Sequence, residues 1–213
     1  MNLVIIDYGI GNIKSIINAF RIYGVNLNLT RDKELILKSD GLILPGVGAF
    51  SHGMKNLVKF DLIEILKDSK KHNKPLLGIC LGMQLLFDES EEFTKTKGLG
   101  LIKGKVLSLP LPETKKLKLP NIGWRKILPN EINWGGTILD NLSKGSNMYF
   151  VHSFAASPSK KSDILSLTDF GEYKFCSSVK SRNIYGCQFH PEKSANDGLR
   201  IIENFIRICK NNF

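Results

Sequence analysis

Apolar positions along the first ninety residues follow two alternating rhythms. Short, nearly unbroken apolar runs, LVIID at 3–7, GLILPG at 41–46 and PLLGIC at 75–80, end at turns marked by glycine or an acidic residue. Such runs read as strands buried on both faces, the pattern of a parallel sheet. VNLNLT at 25–30 predicts a further strand. Between the strands, apolar residues recur at helical spacing. Ile13, Ile16, Ile17 and Phe20 share one face of a helix over 12–23, which Gly24 ends. Leu57, Leu62, Ile65 and Leu66 predict a single helix over 52–71, and LGMQLLFDES at 81–90 predicts another. Strand and helix alternate to about residue 92, which predicts an α/β fold with a mostly parallel sheet flanked by helices.

The second half changes rhythm. GLGLIKGKVLSLP, LPNIGWRKIL, NMYFVHSFAAS, ILSLTDF, FCSSVKSRN and IYGCQFHPE are short strand-like runs broken by Gly, Pro and Asn. They predict an additional antiparallel or mixed strand layer. Leu199, Ile202, Phe205 and Ile206 place a closing helix over 197–210. With no linker, repeat or low-complexity segment, residues 1–213 read as one domain.

Composition narrows the function classes. Apolar residues at 42% and charged residues at 23% are ordinary for a globular chain and exclude a disordered one. The thirteen uncharged residues at 75–87 fall short of the roughly 20 that span a bilayer. The N-terminus lacks a basic region and meets Asp7 early, unlike a signal peptide. The expectation is a cytoplasmic protein with no membrane partner. Cys80, Cys176, Cys187 and Cys209 form no CxxC pair and read as free thiols. The net charge is +10, but it comes from dispersed residues, 24 Lys against 6 Arg. The basic clusters at 67–74 and 115–118 are short and lack interleaved aromatics, so a solvated surface is expected rather than a nucleic-acid partner. The four histidines form no ligand pair at helical or hairpin spacing, and no P-loop occurs. No metal and no cofactor are expected.

Three segments can carry chemistry. In GICLG at 78–82, a cysteine stands between two glycines at a strand-to-helix turn, the nucleophile-elbow pattern with Cys80 as nucleophile. The following helix would aim its free N–H groups at the sulfur, and the Leu81 N–H could stabilise an oxyanion. The pentapeptide alone also fits a buried cysteine before a tight turn. In QFHPE, His190 and Glu192 lie two apart, which in an extended chain puts them on one side. That pair suits a general base with its orienting carboxylate, although an isolated His-Pro-Glu also fits a surface histidine. In LPGVGAF at 44–50, Gly46 and Gly48 bracket a loop that can offer N–H groups to an oxyanion, or serve as a plain turn.

GICLGMQLLF, LPGVGAF and QFHPEKS together resemble the class I glutamine amidotransferases, glutaminases with a Cys–His–Glu triad. DYGIGN at 7–12, PNIGW at 120–124 and YFVHSF at 149–154 narrow the resemblance to the glutaminase subunits that serve imidazole glycerol phosphate synthase. The resemblance spans nearly the whole chain and implies a flavodoxin-like sheet. It implies that Cys80 attacks the glutamine side-chain amide, that His190 carries the proton to ammonia, and that Glu192 orients His190. The oxyanion hole would use N–H groups of Leu81 and of Val47 or Gly48. Gln84, Gly48, His152 and Ser153 match positions lining the glutamine site, though His152 also fits a structural strand-end histidine. The resemblance further implies a separate partner, a (β/α)8-barrel cyclase that receives ammonia for histidine biosynthesis. Trp124 would lie at that interface, or else in the core.

The interface segment departs from the usual Pro-His-Met-Gly-Trp-Asn. Asn121, Ile122 and Arg125 stand where His, Met and Asn are expected, and Arg125 facing a partner would change its specificity. The departure leaves a second reading open: a paralogous glutaminase that pairs with a cyclase-like paralogue and supplies ammonia for acetamidino sugars of surface glycans. More distant readings are another Cys-triad amidohydrolase or peptidase on the same fold, and a non-catalytic binding module.

Overall fold

The computed structural model describes residues 1–111 and 118–211. The basic cluster expected at 115–118 therefore falls, except for Lys118, outside the described residues. The first half runs β1 (Leu3–Ile6), α1 (Ile13–Arg21), β2 (Leu27–Thr30), α2 (Lys33–Lys38), β3 (Gly41–Leu44), α3 (Phe50–Lys59), α4 (Ile63–Lys71), β4 (Leu76–Ile79) and α5 (Leu81–Leu85). Then come β5 (Glu89–Ser90), β6 (Thr96–Lys97), β7 (Gly104–Ser108), β8 (Asn121–Lys126), β9 (Leu128–Pro129) and β10 (Asn147–His152). The chain ends with β11 (Phe154–Pro158), β12 (Ile164–Phe170), β13 (Tyr173–Ser181), β14 (Ile184–Cys187) and α6 (Ala195–Lys210).

The main sheet has the order β2-β1-β3-β4-β14-β13-β12-β9. Its first five strands pair in parallel and the remainder antiparallel. β1, β3, β4 and β14 are buried along their whole length, as their unbroken apolar sequences require. Alternate residues feed two cores. Leu3 and Ile5 join Phe20 and Phe205 on one face, while Val4 and Ile6 join Leu57 and Leu66 on the other. The strands of the second half divide three ways. Four extend the main sheet, β11-β7-β5-β6 form a small mixed sheet, and β8 with β10 form a separate two-stranded ribbon.

Two helices differ from expectation. The single helix over 52–71 is broken into α3 and α4. Asp61, at φ 53, takes the left-handed conformation after α3, and Leu62 N–H reaches back to Leu57 O at 3.0 Å while Asp61 N–H bonds Val58 O. This is a Schellman stop with Asp where glycine is usual, sealed by the buried pair Leu57 and Leu62. The helix expected over 81–90 stops at Leu85, and Glu89–Ser90 pairs as β5 instead. α2 is an element that the apolar spacing does not predict. Its start is fixed by Asp32, whose side chain accepts from the Glu34 and Leu35 N–H groups. Among the described residues, no helix is long and apolar enough to cross a membrane.

Candidate active site

Cys80 sits between β4 and α5 with φ 54 and ψ −112, a conformation that L-residues rarely hold. The strain is borne by the cysteine itself, while its flanking glycines supply room. A Cβ on Gly82 would lie 1.9 Å from Leu44 O, and one on Gly78 would lie 2.7 Å from Gly82 O. Both values are far inside contact distance, so β3, β4 and α5 close on one another only with glycine at these positions. Cys80 N–H donates to Cys187 O at 2.7 Å, which ties the elbow to the end of β14. α5 has five residues, so its field at the sulfur is weaker than the longer helix would give.

His190 is the third residue after β14. Its backbone N–H donates to Tyr149 O at 2.9 Å, and its Nδ1 lies 2.8 Å from Glu192 Oε1. The pair forms across a 3-10 turn over Pro191–Lys193 rather than along the extended chain the sequence suggested. Ser194 Oγ closes the turn, donating to His190 O at 2.6 Å and accepting Tyr149 N–H at 3.0 Å. Both side chains are almost wholly buried, and among the described residues His190 Nε2 and Glu192 Oε2 meet no hydrogen-bond partner. Burial would lower the His190 pKa. Interaction with the Cys80 sulfur and with Glu192 outweighs it and pushes the pKa up to about 10. The arrangement therefore favours an imidazolium, with Nδ1–H donating to Glu192 and Nε2–H left for the sulfur side.

Cys80 and His190 open onto a cavity of about 410 Å³. Val47, Gly48, Leu81, Gln84, His152 and Ser153 line it, so each residue the sequence suggested for the oxyanion hole or the substrate lies at one cavity. Sequence reasoning missed Glu92, Pro120, Val151 and Phe154, which also line it. Glu92 comes from a loop with no periodic signal. Its Oε2 accepts Phe50 N–H at 2.6 Å, at the start of α3. Tyr8, from the DYGIGN segment, lies beneath the LPGVGAF loop and donates its hydroxyl to Pro45 O at 2.5 Å. Burial, then the nearby Cys80 charge, raises its pKa well above the tyrosine range, so it remains a donor.

His152 lines the cavity with both ring nitrogens engaged. Nδ1 lies 2.8 Å from Phe154 O and Nε2 lies 2.9 Å from Asn121 Nδ2. Burial, only partly opposed by the Phe154 carbonyl, brings its pKa down to about 4. It is a neutral wall of the site and offers no free nitrogen to a ligand.

The ribbon carries the residues expected at an interface on two different faces. Ile122 and Trp124 are 58% and 54% exposed, beside Val151 at 37%. Trp124 packs edge-on against Tyr149, its partner across the ribbon. Arg125 does not share this face, because side chains alternate along a strand. It turns inward, stacks over the Phe170 ring at 5.2 Å and donates Nε–H to Asn121 Oδ1. Two of the three departures, Asn121 and Arg125, are thus hydrogen-bonded to each other behind the cavity rather than presented to a partner.

Residues 4–209 match the family of class I glutamine amidotransferases. The chain belongs to that class. Within it, the chain belongs with the proteins named imidazole glycerol phosphate synthase subunit HisH. It is 44% identical to HisH 1 of Legionella pneumophila strain Lens over 96% of this chain and 98% of that one. Identity to HisH of Aquifex aeolicus is 42%, covering 97% of both chains, and to HisH 2 of Methanococcus maripaludis 45%, covering 96% and 98%. Among solved structures, the glutaminase domain of Trypanosoma brucei CTPS, with bound acivicin, superposes with a TM-score of 0.71 at 16% identity, covering 99% of this chain and 94% of that one. PurLQS from Thermotoga maritima superposes at 0.69 and 19% identity, covering 97% of both chains. These two show a shared fold. The chain is a glutamine amidotransferase by family.

Proposed function

We propose that this chain is the glutaminase subunit of an imidazole glycerol phosphate synthase, supplying ammonia to a cyclase subunit for histidine biosynthesis. The observation that carries the chemistry is Cys80 and His190 at one cavity, with the buried Glu192 paired to His190 behind it. The Cys80 sulfur attacks the side-chain amide carbon of glutamine. The carbonyl oxygen becomes an oxyanion, held by the N–H of Leu81 and by one from Val47 or Gly48. His190 gives its Nε2 proton to the leaving nitrogen, ammonia departs and a thioester remains. His190 then takes a proton from water, which attacks the thioester and releases glutamate and Cys80. Glu192 stays ionised and holds the ring. Among the described residues, Glu92 is the carboxylate that lines the cavity, and it suits the α-ammonium of glutamine. None of these steps needs a cofactor.

Ammonia released into water would be protonated and lost, so a partner must cover the cavity. The exposed ring of Trp124 with Ile122 and Val151 beside the cavity mouth is an apolar patch suited to that contact. We assign it to a cyclase subunit with a (β/α)8 barrel. The paralogue reading rested on a changed interface segment. Two of its three changes turn away from the exposed face, which favours the histidine partner.

The test is glutamine hydrolysis by the chain alone and with the histidine-pathway cyclase plus its ribonucleotide substrate. Stimulation by the loaded cyclase, lost in Cys80→Ala while ammonia-driven synthesis by the cyclase continues, is the expected result. Glutaminase activity retained by Cys80→Ala would overturn the mechanism. Cys80-dependent turnover without any response to that cyclase would overturn the pathway.

A further inference from the structure

A buried chain of two amides leads to the nucleophile. Gln84 Nε2 donates to Phe154 O at 2.9 Å and to Gln188 Oε1 at 3.0 Å. Gln188 Nε2 in turn lies 3.9 Å from the Cys80 sulfur, within hydrogen-bond range for so large an atom. Gln188 is fully buried, and Gln84 nearly so. The backbone fixes the meeting, since Cys187 O holds the Cys80 N–H at 2.7 Å and Gln188 N–H donates to Ser177 O at 2.9 Å.

The direction of both amides follows from one atom. Phe154 O can only accept, so Gln84 must present its NH2 there. The same NH2 meets Gln188, which must answer with its oxygen. The Gln188 NH2 is then left facing the sulfur. The sulfur needs such a donor. When protonated it points at Val151 O, 4.0 Å away, and once ionised it gains nothing from that carbonyl. The five-residue α5 offers little field of its own. Among the described residues, the titratable groups that interact with Cys80 are His190 and Tyr8, from other elements, with Glu192 behind His190, while His152 and Glu92 line the same cavity.

We infer that Gln188 is a hydrogen-bond donor that stabilises the Cys80 thiolate, and that Gln84 is the positioning residue that keeps the Gln188 amide turned toward it. This rests on Cys80 being the nucleophile. It gives Gln84, which lines the cavity, a second duty: a ligand drawing on Gln84 also acts on the sulfur's donor.

The experiment is the pH dependence of Cys80 alkylation by iodoacetamide in the full chain, with the labelled site mapped by peptide mass. Mapping separates Cys80 from Cys176, Cys187 and Cys209, all buried. Gln188→Met is expected to raise the midpoint by about one pH unit, the scale of one hydrogen bond to a charged group. Gln188→Glu keeps the shape, replaces the donor with an acceptor and is expected to raise it further, so it carries the test if Gln188→Met does not fold. Gln84→Glu in its ionised form accepts only, turns the Gln188 NH2 away from the sulfur and is expected to raise the midpoint in the natural background but much less in Gln188→Met. Profiles of both Gln188 variants that superpose on that of the natural chain, with Cys80 still the labelled site, would overturn the inference. A Gln84→Glu shift undiminished in Gln188→Met would overturn the positioning role. Absence of Cys80 labelling in the natural chain would instead overturn the nucleophile reading, and this inference with it.

Discussion

Asn121 fixes the tautomer of His152, whose ring is kept neutral by burial. Its Nδ2 stands 2.9 Å from His152 Nε2 and can only donate, so that nitrogen must accept, while Nδ1–H donates to Phe154 O at 2.8 Å. Arg125 completes the chain from behind by donating to Asn121 Oδ1. Since the His152 pKa is lowered from 6.5 to about 4, the unfolded chain takes up a proton in that interval that the folded chain refuses. Stability is therefore lost as pH falls from 6.5 to 4, by about 3 kcal/mol from this group, and no further below. His152→Gln should flatten that part of the stability curve, measured by urea unfolding at several pH values. Asn121→Asp should raise the His152 pKa, read from its ring protons by NMR.

The same measurement addresses His190 with the opposite sign. Its raised pKa of about 10 owes much to the Cys80 sulfur. Cys80→Ala removes that influence while burial still favours the neutral ring, so the His190 pKa should fall. A raised histidine contributes stability that is full below 6.5 and lost as pH rises through 10. In Cys80→Ala that loss should still begin near 6.5 but end at a lower pH and be smaller in total. An unchanged His190 titration in Cys80→Ala would mean that the sulfur and the imidazole do not interact.

Much of the fold was legible because its central strands are buried on both faces, and burial writes itself as unbroken apolar runs such as LVII and LLGI. The break between α3 and α4 was not, because its stop uses Asp61 in a left-handed conformation and the apolar period runs on across it. Cys80, His190 and Glu192 were legible as motifs because glycines and a proline must surround them. Glu92 and Gln188 were not. Each acts through a long-range contact, to Phe50 N–H and to the Cys80 sulfur, that no local spacing encodes. Arg125 was placed with Trp124 by proximity in sequence, although strand alternation puts neighbours on opposite faces.

Gly82 provides a stability test of the elbow. Gly82→Ala would place a methyl 1.9 Å from Leu44 O, against backbone that has no rotamer to yield. The expected cost is about 3 kcal/mol or more, with glutaminase activity lost before the fold as β3 and α5 separate. Gly24→Ala is the control. Its Cβ meets nothing within 4 Å, so only the φ of +70 is penalised, by about 1 kcal/mol. Equal melting points for the two variants would show that the elbow is not closely packed.

The two faces of β8 separate docking from folding. Trp124 projects outward with 54% of its surface exposed, so Trp124→Ala should change the stability of the isolated chain by no more than about 0.5 kcal/mol. If the ribbon is the docking face, the same variant should weaken binding to the cyclase by about 2 kcal/mol, or roughly thirtyfold in Kd. Arg125→Ala should behave in reverse. It removes the stack on Phe170 and strands Asn121 Oδ1, costing about 1–2 kcal/mol of stability with little change in Kd. Titration calorimetry against the cyclase and urea unfolding of each chain read the two effects separately. A Trp124→Ala chain that binds the cyclase at full strength would move the docking face away from the ribbon, because no neighbouring side chain could replace so large an exposed ring.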